Sequence, residues 1–269
     1  MKHFHQPSSP EEALVIKEKY GNQSVFVSGG TQVNSCDFKE TFTHAISLEG
    51  ILSDTISKTE HGLEIGANCT FQQLINDPQV PQVIKNACRL ITSRNIRNRV
   101  TIGGHIGSNR SNGVLLPVLL ALNTTIKLAT NQVGIPISDF LLSGKTSLVL
   151  SAFIPSSELK RFCSIKHYRR SANDRCILVA AASSFVVNQH FRNPLIALGG
   201  VEETAIRLYE IESTLDSHML QNTDSVELQV ASTVHPEDSI HCSAPFKKHL
   251  AGVLVAQALS ETISMGGAS

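Results

Sequence analysis

Residues 97–122 read RNRVTIGGHIGSNRSNGVLLPVLLAL. Thr101 and Ile102 form a short β-branched pair that breaks off at Gly103-Gly104. Small and polar residues follow, Gly107, Ser108, Asn109, Ser111, Asn112 and Gly113. Residues 114–122 are then apolar, with Pro117 placed for a first helical turn. Paired glycines permit positive φ angles and let another surface approach the main chain. A strand, a glycine turn and a small polar loop running into a helix make a cup of backbone N–H groups suited to phosphate. The plainer alternative is a tight turn between two core elements.

A second stretch repeats the pattern. Val25, Phe26 and Val27 alternate as a strand, then break into Ser28-Gly29-Gly30-Thr31-Gln32-Val33-Asn34. Two such loops could hold the two phosphates of a dinucleotide from opposite sides. Neither is a G-x-G-x-x-G fingerprint, and that pattern occurs nowhere in the chain, so the architecture is expected to differ from a Rossmann unit.

Composition narrows the function classes. The chain has 269 residues, 41% hydrophobic and 17% charged, with 23 basic and 23 acidic side chains. That length holds one large domain or two modest ones. Zero net charge argues against general nucleic-acid or membrane-surface binding. The arginines at 89, 94, 97, 99 and 110 are the one basic cluster before residue 160, and no aromatic lies between Phe71 and Phe140 to interleave with them. They read as a solvated or intersubunit face, or as compensation near a pyrophosphate. The N-terminus lacks an apolar signal core, and the longest apolar runs are about half a membrane span. A cytoplasmic protein is expected. The cysteines at 36, 69, 88, 163, 176 and 242 are scattered, which disfavours an iron–sulfur cluster or zinc on this chain.

Read in order, Ser9-Pro-Glu-Glu12 is a capping box opening a helix over 10–20 that Gly21 stops. Strands are expected at 3–6, 25–28, 44–48, 51–57 and 63–67, and helices at 71–76 and 81–91. Further strands fall at 124–129 and 148–154. The polar segment 155–161 marks a boundary, followed by β runs at 162–168, 178–188 and 194–198. Helical patterns close the chain at 208–215, 225–232 and 246–263. Strands followed by helices predict an α+β domain with a small antiparallel sheet.

The blocks VSGGTQV, IRNRVTIGGHI with LLPVLLAL, KHYRRSAND (166–174), IALGGVEETAIR (196–207) and FKKHLAGVLVAQAL (246–259) resemble the FAD-binding subunit of molybdenum hydroxylases, the xanthine dehydrogenase and carbon monoxide dehydrogenase family. The resemblance spans essentially the whole chain, in the family's order. It implies an α+β fold: a two-part PCMH-type (vanillyl-alcohol-oxidase-like) FAD-binding domain over 1–157, with subparts of about 1–50 and 51–157. A C-terminal domain over 158–269 would resemble that of the CO dehydrogenase flavoprotein.

The resemblance implies that FAD contacts Phe26, Val27, Ser28, Gly29, Gly30, Thr31, Gln32 and Val33 in the first loop, and Thr101, Ile102, Gly103, Gly104, His105 and Ser108 in the second. Val149 matches an aliphatic residue that packs on the flavin, and Lys166 a lysine at its ring. Strand alternation sets Lys166 opposite Ile165, and it reaches a flavin if its face meets the first domain. The chain departs from the family at Val100, for a usual Gly, and at His105, for a usual Asn. Gln32 replaces a common Asp, and Arg110-Ser-Asn-Gly-Val114 replaces a segment with a flavin-contacting carboxylate. The implied function is electron transfer, from iron–sulfur clusters on a partner chain through FAD to NAD+ or another acceptor. Molybdopterin and the [2Fe-2S] clusters would sit on partner large and small subunits, and no catalytic side chain is expected here. A structural subunit without FAD and a free-standing flavin reductase or oxidase of the same superfamily remain the alternatives.

Overall fold

The computed structural model describes residues 2–35, 38, 41–143, 147–220 and 222–267. The N-terminal layer comprises β1 (His3–His5), α1 (Pro10–Tyr20), β2 (Ser24–Val27) and β3 (His44–Ser47). Ser9 caps α1 by accepting from the Glu12 N–H at 3.2 Å, and the Glu12 carboxylate accepts from the Ser8 N–H at 2.7 Å. Those two bonds satisfy amides at the helix start that would otherwise lack partners. Parallel strands need a crossover. With α1 as the crossover, β1 and β2 both pair in parallel with β3, in the order β1-β3-β2.

The next layer begins with β4 (Ile56–Lys58), β5 (Gly62–Gly66), α2 (Phe71–Asn76), α3 (Gln82–Arg89) and α4 (Arg94–Arg97). It continues with α5 (Ile102–Gly107), α6 (Leu116–Ala121), β6 (Thr125–Leu128), β7 (Asn131–Pro136), α7 (Ile137–Ser143) and β8 (Val149–Pro155). Its strands form one antiparallel sheet in the order β4-β5-β8-β6-β7. Thr70 and Gln73 close a capping box on α2, with bonds of 3.2 and 2.7 Å. Phe71, Ile84, Ile102, Ile106 and Leu119 are fully buried beneath the sheet. Each such side chain contributes about 1.5–3 kcal/mol by leaving water.

The C-terminal layer holds β9 (Phe162–Tyr168), β10 (Leu178–Val187), β11 (His190–Gly199), β12 (Ile206–Arg207), α8 (Tyr209–Leu215), α9 (Thr223–Thr233) and α10 (Ala244–Gly267). Its sheet runs β12-β11-β10-β9, antiparallel throughout. Leu178, Ala180, Ala182, Ile196 and Leu198 pack into the core shared with α10, while Val179, Ala181 and Ala197 pack into the core of the preceding layer. A sheet buried on both faces needs a continuous apolar run rather than alternation, which is the composition of residues 178–182. Small alanines let α6 and α10 approach from opposite sides, so a bulky or charged residue at Ala181 would disrupt the contact between layers.

Several expectations meet corrections here. The expected strand over 51–57 shortens to β4, because Gly66 admits the Ser53 carbonyl at the place a side chain would fill, bending the chain before the strand begins. Thr101 and Ile102 do not form a strand leading into a glycine turn. Thr101 makes one bridge to Thr70, then caps α5, whose first turn contains both glycines. Strand β7 and helix α7 were not expected at all: β7 is interrupted by Gly134 and closed by Pro136, with Val133 exposed and Ile135 packed against the core, so little periodicity betrays it. Cys69, Cys88, Cys163, Cys176 and Cys242 are unpaired, while Cys36 lies outside the described residues.

Candidate cofactor site

The principal cavity among the described residues, about 1020 Å³, lies where all three layers meet. Its size is at the upper end of small-molecule sites. One wall is the loop after β2. Gly30 holds φ +73°, and the Asn34 N–H donates to the Gly30 carbonyl at 3.1 Å, curling the chain into a tight turn. The amides of Gly29, Gly30, Thr31, Gln32 and Val33 donate to no acceptor among the described residues. Five successive free N–H groups on one turn make a concave donor surface that suits an anion. Ser28 is held by a 2.8 Å bond from its hydroxyl to Asn68 Oδ1.

The second glycine segment does a different job from the one expected. The Ile102 amide donates to the Cys69 carbonyl at 2.9 Å, and the Gly103 amide to the Ala67 carbonyl at 2.8 Å. The Gly104 amide donates to the Thr101 hydroxyl at 3.2 Å. The start of α5 therefore spends its N–H groups on the protein. Its glycines supply closeness instead: a Cβ on Gly103 would lie 2.6 Å from the Ala67 Cβ, whereas Gly104 faces outward into the cavity. Beyond α5, the amides of Asn112 and Val114 line the same cavity and donate to nothing among the described residues.

Charge is supplied by arginine. Arg99 Nε donates to the Gly29 carbonyl at 3.2 Å, fixing its guanidinium beside the amide turn. Arg97, by contrast, is consumed structurally, donating to Gln72 Oε1 and to the carbonyls of Ile91 and Thr92. The loop between β9 and β10 closes another side. Arg175 donates to the Ser35 hydroxyl at 2.9 Å, and Asn112 Nδ2 donates to the Cys176 carbonyl at 3.2 Å. Burial pushes the Cys176 thiol up from its ordinary range, which disfavours the thiolate. His105, against Phe71, has its pKa lowered to about 4 by burial and by Arg110.

Of the sixteen residues expected at the cofactor, all but Ile102 and Lys166 line this cavity. The Ile102 side chain is fully buried in the core, and only its backbone belongs to the α5 start. Lys166 is a correction. Alternation along β9 sends Ile165 toward the preceding layer and Ser164, Lys166 and Tyr168 toward α10. There Lys166 Nζ forms a 2.9 Å ion pair with Glu261. The condition that would have carried Lys166 to a flavin fails. Arg175, Asn112 and Cys176 were missed, because their contribution depends on a loop reaching across layers.

The family model described as the FAD binding domain in molybdopterin dehydrogenase matches residues 1–157. The CO dehydrogenase flavoprotein C-terminal domain matches residues 164–262. The chain belongs to the FAD-binding family of molybdopterin dehydrogenases. It is 29% identical over 265 residues to YgfM of Escherichia coli K12, a protein named as uncharacterised, covering 98% of this chain and 97% of that one. It is 26% identical to the putative xanthine dehydrogenase FAD-binding subunit XdhB of the same organism, over 98% of this chain and 97% of the relative. The Cu,Mo-CO dehydrogenase structure shares the fold, with a TM-score of 0.88 at 19% identity, covering 98% of both chains. As a member of this family the protein is a flavoprotein component of an oxidoreductase, with FAD as its cofactor. The cavity fits that group, since it joins a free-amide turn for a pyrophosphate, an arginine beside it and apolar walls at Val149 and Leu148.

Proposed function

We propose that this chain is the electron-transfer subunit of a molybdenum hydroxylase complex, working with a molybdopterin-binding large subunit and an iron–sulfur small subunit. When bound, FAD would supply the redox chemistry that links iron–sulfur clusters on the small subunit to NAD+ or another acceptor. The observation that carries the reading is the run of amides from Gly29 to Val33 that have no acceptor among the described residues, facing a cavity that the second glycine segment also borders. The likeness to XdhB supports the assignment to a multi-subunit dehydrogenase.

The chain's own residues bind and orient. The 29–33 amides would hold the pyrophosphate, and Arg99 would offset its charge. Phe26, Val27 and Val149 form an apolar wall that excludes water from a ring system. Gly104 and Ser108 keep the opposite wall low. The 173–176 segment closes the cavity from the C-terminal layer and would border a cofactor held there.

Purifying the chain and recording its visible spectrum before and after denaturation tests the reading. A dissociable flavin at about one per chain, reducible by NADH, is expected. A colourless protein that takes up no FAD on titration overturns the cofactor assignment. Bound flavin that NADH leaves oxidised overturns NAD+ as the acceptor.

A further inference from the structure

One turn of the second layer is bonded to both glycine segments. Residues 66–69 lead from β5 into α2. The Gly66, Ala67 and Asn68 amides donate to the carbonyls of Thr55, Leu150 and Ser53 at 2.9, 2.9 and 2.8 Å, and the Cys69 amide donates to the Gly66 carbonyl at 3.0 Å. The turn has little room to shift, since a Cβ on Gly66 would lie 2.4 Å from the Ser53 carbonyl oxygen. The carbonyls of Ala67 and Cys69 hold the start of α5, which is the second glycine segment. Between them, the Asn68 side chain reaches the first segment. Its Oδ1 accepts the Ser28 hydroxyl at 2.8 Å, across forty residues of sequence.

Asn68 does not line the cavity, whereas Ser28 and the 29–33 turn that follows it do. A hydroxyl has one proton to donate, and Ser28 gives it to Asn68, so none is left for a ligand. The bond instead fixes where β2 ends and the run of amides begins. We propose that Asn68 is a positioning residue that sets the spacing between the two glycine segments, and so aims the 29–33 amides at the bound FAD. This rests on the cavity being the FAD site. The bond to Ser28 and the Arg99 bond to the Gly29 carbonyl hold neighbouring residues from the same layer, so losing one weakens the register of the turn without releasing it. An amide oxygen accepts the Ser28 hydroxyl without bringing a negative charge toward a pyrophosphate, as a carboxylate would.

The test uses the full-length chain stripped of flavin, with FAD titration followed by flavin fluorescence and amide hydrogen exchange followed by NMR. Wild type, Asn68→Leu, Ser28→Ala and the double variant are compared, each checked for folding by circular dichroism. Each single variant should bind FAD about fivefold more weakly, the worth of one hydrogen bond. The double variant should bind no more weakly than either single, because both remove the same bond. The amides of Asn34 and Ser35 close the turn onto the carbonyls of Gly30 and Gln32. In flavin-free Asn68→Leu they should exchange about fivefold faster, while the amides of β3 keep their rates. A folded Asn68→Leu that binds FAD as tightly as wild type, or losses that add in the double variant, overturns the proposal. Faster exchange throughout the chain overturns it as well, by assigning Asn68 to general stability. A wild-type chain that takes up no FAD, with Asn34 and Ser35 still loosened in Asn68→Leu, overturns the cofactor assignment itself, and the positioning role toward FAD falls with it.

Discussion

Gly29 and Arg99 grip one another across the two glycine segments. A Cβ built on Gly29 would fall 1.5 Å from the Arg99 carbonyl oxygen, and Arg99 Nε donates back to the Gly29 carbonyl at 3.2 Å. The residue before the second segment thus fixes the position of the first. Gly29 is required for close approach, whereas its neighbour Gly30 is required for its positive φ.

Gly29→Ala should therefore push the amide turn away from Arg99 with little cost elsewhere, because the core beneath it is untouched. FAD affinity should fall by tenfold or more while the circular dichroism spectrum is kept. Unchanged flavin uptake by the folded variant would show that the 29–33 turn is not the cradle.

Arg99→Gln removes the charge and leaves the backbone contact in place. A guanidinium beside a phosphate in a partly wet site is worth about 1 kcal/mol after screening, so a loss of roughly fivefold in FAD affinity is expected. The loss should shrink at high salt. Titrations at low and high ionic strength check it, and a salt-independent loss would assign Arg99 a purely steric part.

Gly104→Asp places a carboxylate on the open wall of the cavity, where an added Cβ meets only the Thr101 hydroxyl, at 2.9 Å. An aspartate in the first turn suits a helix N-terminus, so the fold should survive. Repulsion from a cofactor phosphate in a poorly solvated cavity should abolish FAD binding. Flavin content equal to wild type would place the phosphates away from α5.

How much of this was legible beforehand follows from the range of the forces involved. Capping at Ser9 and Thr70, and the apolar run of 178–182, are local or periodic signals, and the elements there fall where the sequence set them. Gly103-Gly104 announced a special backbone but not its kind. Whether such a pair makes a free-amide turn or a close-packed helix start depends on Ala67 and Cys69, some thirty-five residues away. Lys166 illustrates the same limit. Alternation separated it from Ile165, yet the face that met the first domain was decided by α10, which covers the other side with Glu261.

Lys166→Ala should accordingly leave the flavin midpoint potential unchanged. The side chains of the Lys166–Glu261 pair are 32% and 41% exposed, so its loss should cost no more than about 1 kcal/mol of stability. Potentiometric titration and urea unfolding of the holoprotein check the two halves. A lowered potential would return Lys166 to the flavin.

Acid should destabilise this fold through His105 before most carboxylates titrate. The ring's pKa is held at about 4 by burial, whereas an unfolded histidine titrates near 6.5. Above about pH 6.5 both states are neutral, and the contribution to stability is complete. As pH falls from there toward 4, the unfolded chain takes up a proton that the folded ring refuses. Stability is lost across that window, by up to about 1.4 kcal/mol per pH unit. Between pH 7 and pH 5 this gives roughly 2 kcal/mol at most, and about half should survive, since the ring faces a cavity that water can enter. His105→Gln cannot titrate there, so its unfolding free energy should fall about 1 kcal/mol less than wild type over the same interval. Urea denaturation of both flavin-free proteins at pH 7, 6 and 5 measures the difference. Parallel pH profiles would mean that the ring accepts a proton in the folded state, at the expense of the bond that its Nε2 accepts from the Leu115 amide.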